Sequence, residues 1–137
     1  MDAALQSLSS GLPILILHLL TAASVLGVGA VIYVRLTAHQ ELKLIRDGNT
    51  AASISLGAAL IGLAIPISVT LATGVNMVEI AIWGVATLLL QLILFQITDL
   101  VLRGLSKRII AGEIATATLL AAIKIGGSIL LGAALIG

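Results

Sequence analysis

Long apolar runs separated by short polar connections give the chain its plan. Four runs, at roughly residues 12–34, 51–73, 78–101 and 113–136, each supply the ~20 helical residues that cross a hydrocarbon core of about 30 Å. The first connection, RLTAHQELKLIRDGNT, sets Leu42 and Ile45 among charges, a pattern that suits a short interfacial helix. Gly48 supplies the turn after it, and Asp47 or Asn49 can cap the second span by accepting from its first free N–H groups. Thr73, Gly74, Val75 and Asn76 predict a tight return that makes spans two and three antiparallel neighbours. RGLSKRIIAG repeats the logic of the first connection before span four.

Within the spans, the helical period sorts polar and small residues onto faces. In span one, Pro13 suits a helix start, Tyr33 suits a membrane interface, and Gly27 and Gly29 suggest close packing. His18 shares a face with Thr21, Ala22 and Gly29. Pro66 predicts a kink in span two. Span three opens with Glu79 and Trp83 near the interface and carries Gln91 close to mid-depth, on one face with Gly84, Thr87 and Thr98. Span four is organised around Lys124, at the middle of an apolar segment. Glu113, Ala117, Ala121, Lys124, Gly127 and Ser128 form one stripe there, small apart from its two charges.

The second half echoes the first at an offset of 64 positions, where GNTAASISLGAALIGLAI answers GEIATATLLAAIKIGGSI. Gly48 aligns with Gly112, Asn49 with Glu113, and Leu60 with Lys124. We therefore expect an all-α, integral membrane four-helix protein of two parallel two-helix repeats. Residues 1–137 form a single membrane domain, with repeat one at about 12–73 and repeat two at about 78–136.

Composition agrees with this plan: 60% of residues are hydrophobic and 9% charged, too few polar groups to cover a soluble globule of this size. No cysteine is present, which removes disulfides and thiolate chemistry. Two separated histidines give no metal motif, and a net charge of +1 gives no global argument for nucleic acid. The opening MDAALQSLSS carries Asp2 and no basic residue before the apolar run, so a retained segment is expected in place of a cleaved signal. Arg35, Lys43, Arg46, Arg103, Lys107 and Arg108 all lie in the two connections, and the other side of a four-span arrangement has no Lys or Arg. By the positive-inside rule, both connections are cytoplasmic and both termini outside.

The loop QELKLIRDGNTAAS, with Glu41, Gly48, Asn49 and Ala52, followed by Gly57 and Gly62, resembles the YjfL-like small bacterial inner-membrane proteins, classed as domain of unknown function 350. The resemblance covers nearly the whole chain. It implies four spans in two repeats within the bacterial cytoplasmic membrane and carries over no biochemical activity. Gly112-Glu113 departs from the Gly-Asn pattern that Gly48-Asn49 matches.

Candidate chemistry centres on the buried charge. An ammonium at mid-depth costs at least ~2.5 kcal/mol on insertion scales, so Lys124 needs a partner or water. Either it serves transport, by binding an anionic group or passing a proton, or it is a structural lysine held by a carboxylate or by Gln91 and backbone carbonyls. Glu113 and Asp99 are read as helix-end acids that cap or pair at the interface, Asp99 with Arg103 one turn on, and Glu79 as the same at the outer end. His18 is read as a packed residue, and Gln91 and Gln96 as inter-helix glue. No metal constellation, nucleophile arrangement or phosphate loop supports catalysis. The expectation is a non-enzymatic accessory or scaffold subunit of a homo-oligomeric membrane assembly. It would need no cofactor or nucleic acid, and its partners would be lipid and a cytoplasmic protein met through the basic loops. The alternative is a small oligomeric channel or transporter with Lys124 and Gln91 lining the path.

Overall fold

A computed structural model describes residues 1–37, 40–74, 76–102 and 104–137. Six helices fill them: α1 (Asp2–Leu36), α2 (Glu41–Arg46), α3 (Thr50–Thr73), α4 (Met77–Val101), α5 (Leu105–Ile110) and α6 (Ile114–Ile136). The protein is all-helical, and α1, α3, α4 and α6 are each long and apolar enough to cross a membrane. The expected span ends agree with these helices to within a residue or two, except at the N-terminus. There α1 begins at Asp2, and Pro13 lies inside it. The carbonyl of Ser9, which a proline four residues on cannot bond, lies on an exposed turn, so an in-helix proline is tolerated. Pro66 likewise sits within the continuous helix α3.

Helix α3 is central, with 44% of its most apolar stretch buried against 11% for α1. Its chief partner is α6, while α1 packs on α3 and α4. Glycine permits two of these approaches. A methyl group at Gly62 would lie 2.7 Å from Ser128 Oγ and 2.8 Å from Phe95 Cζ, and one at Gly29 would collide with Leu88. Gly27 faces open space and does no such packing.

At one end the short helices seat under the bundle. Ile109 of α5 packs with Ala51, Ala52, Ala117 and Leu120, and Leu44 and Ile45 of α2 join that cluster. Helices α2 and α5 are each six residues long, and each is followed by a glycine with positive φ, +86° at Gly48 and +84° at Gly112. That backbone region favours glycine because it lacks a Cβ. Of the two proposed caps for α3 it is Asn49 that acts, its side chain accepting from Ala52 N at 3.0 Å. Its amide also donates to Ile109 O at 2.9 Å, tying the start of α3 to the end of α5. At the opposite end Asn76 caps α4 through Glu79 N, 2.9 Å away. Val75, in the return before it, lies outside the described residues.

Candidate functional site

The apolar spans enclose a chain of polar side chains toward the end where α2 and α5 lie. Lys124, 2% exposed, is held from two helices. Its Nζ lies 3.2 Å from Asp99 Oδ1 of α4 and donates to the Tyr33 hydroxyl of α1 at 2.9 Å. It also stands 4.8 Å from the Tyr33 ring centroid and 4.9 Å from that of Phe95, within cation–π range. The two rings meet edge to face at 5.6 Å. An ammonium is thus given a counter-charge, an oxygen acceptor and two π faces, the compensation that a buried charge requires.

A second branch runs through the backbone of α6. Ser128 Oγ donates to Lys124 O at 2.7 Å, and the Gln91 amide of α4 donates to Ser128 Oγ. Gln91 and Lys124 are therefore linked through Ser128 and do not touch by a direct hydrogen bond. The Gln91 carbonyl oxygen is buried and has no hydrogen-bond partner among the described residues. On the other side of Tyr33, Glu41 is fully buried in α2 and accepts from Ser55 Oγ of α3 at 3.2 Å.

Three expectations change. Tyr33 is not an interfacial aromatic but is 1% exposed, because its hydroxyl meets Lys124 and its ring packs on Phe95. Asp99 serves Lys124 and is not simply a helix-end acid; its expected partner Arg103 lies outside the described residues. The reason is direction. Helix side chains lean toward the N-terminus of their helix, so a lysine stem carries its charge back from mid-helix toward the end of α4 where Asp99 stands. Gln96 is exposed and lines an apolar groove between α1 and α4, so of the two glutamines only Gln91 joins helices.

The remaining candidates stay apart from this centre. Glu113 precedes α6 without a side-chain cap and lies 3.9 Å from Arg108. Glu79 lines a pocket with Thr70 and Trp83 at the opposite end. His18 is half-buried and Gly57 faces open space. Among the described residues no group of three or more His, Cys, Asp or Glu could hold a metal ion. Ser55 and Phe95 escape sequence reasoning: a serine between Ile54 and Leu56 and a phenylalanine in an apolar run carry no signal until packing brings them together.

These features define a multi-pass helical membrane protein with a charged pair enclosed between spans. The chain belongs to the family described as Domain of Unknown Function (DUF350), whose model matches residues 7–135. It is 33% identical over 98 residues to the UPF0719 inner membrane protein YjfL of Escherichia coli (strain K12), covering 72% of this chain and 74% of the relative. The YjfL protein of Escherichia coli O157:H7 matches with the same identity and coverage. No solved structure matches. The family relationship identifies this chain as an inner-membrane protein and bears out the resemblance seen in its loop motif.

Proposed function

We propose that this is a non-enzymatic accessory or scaffold subunit of a homo-oligomeric inner-membrane assembly. Both basic connections would be cytoplasmic, both termini outside, and the chain a duplication of one two-helix unit. One observation carries the reading: Lys124 is compensated within its own bundle by Asp99 and Tyr33. A charge already neutralised ties helices together and leaves the Lys124 ammonium without a free valence for a solute. Exposed cations remain on α5, at Lys107 and Arg108, where a cytoplasmic protein can meet them. The equal lengths of α2 and α5, and the glycine after each, support the duplication.

The test is photo-crosslinking in cells from position 107, with particle mass measured in mild detergent. The reading expects a defined protein partner and a mass at or above a dimer; a monomer that captures no partner refutes it.

The channel or transporter reading draws on a different observation, the Asp99 side chain, which is 32% exposed and so gives the charged centre an opening. Ion and proton flux into liposomes, compared between wild type and Lys124→Met, decides between the two. Flux that the substitution abolishes while folding persists assigns a transport path; its absence in both leaves the pair structural.

A further inference from the structure

We propose that the groove between α1 and α3, with the basic cup at its mouth, binds one anionic phospholipid. The groove, about 420 Å³ in volume, is walled by Ala30 and Val31 of α1 and by Leu56 and Leu60 of α3. Below it lies a second cavity of about 510 Å³ that includes Lys43 and Arg46 of α2. The two are continuous, since Val34, Arg35 and Leu42 line both. An apolar slot that opens onto three cations matches an acyl chain joined to a phosphate, and neither half alone accounts for the other.

Charge and depth both fit that occupant. Arg35, Lys43 and Arg46 are exposed, and none forms an ion pair with another described residue. Lys43 and Arg46 stand three residues apart on α2 and so project from one face. The carboxylate in the lining, Glu41, is engaged inside the bundle with Ser55. Leu60 comes ten residues after Thr50, the first of α3, so the slot reaches ~15 Å from the helix start. That is half of a hydrocarbon core of about 30 Å, the depth of one leaflet. Basic pockets between spans on the cytoplasmic side are suited to anionic headgroups, each Lys or Arg favouring the negative surface. The groove between α1 and α4, about 490 Å³, has no charged side chain among its described lining residues and offers nothing to select a headgroup.

Native mass spectrometry of the full chain, released from micelles containing equal dioleoyl-phosphatidylglycerol and dioleoyl-phosphatidylcholine, tests this. Wild type is expected to retain one phosphatidylglycerol in preference to phosphatidylcholine. Arg35→Gln/Lys43→Gln/Arg46→Gln should lower that preference by roughly 10- to 100-fold. Leu60→Trp, which fills the slot and leaves the charges, should displace the lipid independently, with circular dichroism confirming the fold of both variants. Lys107→Gln/Arg108→Gln should leave retention unchanged. Equal loss in that control assigns the effect to diffuse charge and overturns the proposal, as does full retention in the triple variant. Displacement by soluble glycerol phosphate at matched concentration also overturns it, by showing a phosphate site that needs no acyl chain.

Discussion

Lys124 illustrates how one residue constrains its neighbours. Its charge is acceptable only with Asp99 and Tyr33 in place, so removing either side of the pair leaves the other uncompensated. Lys124→Met is expected to destabilise the protein by about 3 kcal/mol, the lower part of the range for breaking a buried pair, because the Asp99 side chain is 32% exposed and partly screened. Lys124→Met combined with Asp99→Asn should recover most of that loss, since no lone charge then remains. Thermal unfolding of the single and double variants in detergent checks this; a double variant as unstable as the two losses summed contradicts an ion-pair role. The lysine was legible from its place in an apolar run, whereas its partner was not. Counting residues along the helices separates 124 from 99 in depth, and only the N-terminal lean of the lysine stem closes the gap.

At the scale of elements, the helices follow from apolar runs and end signals, and the sequence displays both plainly. The run from Thr50 to Thr73, capped by Asn49, forms the helix its pattern predicts. What the pattern did not reveal was which glycines touch a neighbour, because contact depends on how helices are turned against one another. Gly62 and Gly57 lie in the same helix and differ only in this. Gly62→Ala should cost about 1–3 kcal/mol by forcing α3 away from Ser128 and Phe95. Gly57→Ala, with open space around it, should be neutral or slightly stabilising through better helix propensity. Chemical denaturation of the pair compares them directly, and equal effects would argue against close packing at Gly62. Asn49→Ala removes both the cap and the bond to Ile109 O, so the expected loss of ~1–2 kcal/mol exceeds that of an ordinary exposed cap. Hydrogen exchange should localise it to the first turn of α3 and the end of α5, and uniform loosening of the bundle would contradict a local role.

For the whole molecule, the absence of cysteine makes sidedness simple to measure. A single reporter at Ser7→Cys should react with a membrane-impermeant maleimide added outside intact spheroplasts, and one at Lys43→Cys only after lysis; the reverse pattern contradicts the proposed orientation. The overall plan was readable because a bilayer demands long apolar helices, whereas the tertiary arrangement of polar groups inside it needed three dimensions. The split between Asp99 on α4 and Lys124 on α6 also carries a consequence for synthesis. A ribosome delivers the acid before the base, so the nascent protein holds Asp99 without Lys124 until α6 arrives. A chain stopped after Ile110 should be degraded faster than the same fragment carrying Asp99→Asn, and pulse-chase labelling would detect the difference. Equal lifetimes would show that the cell ignores the unmatched acid.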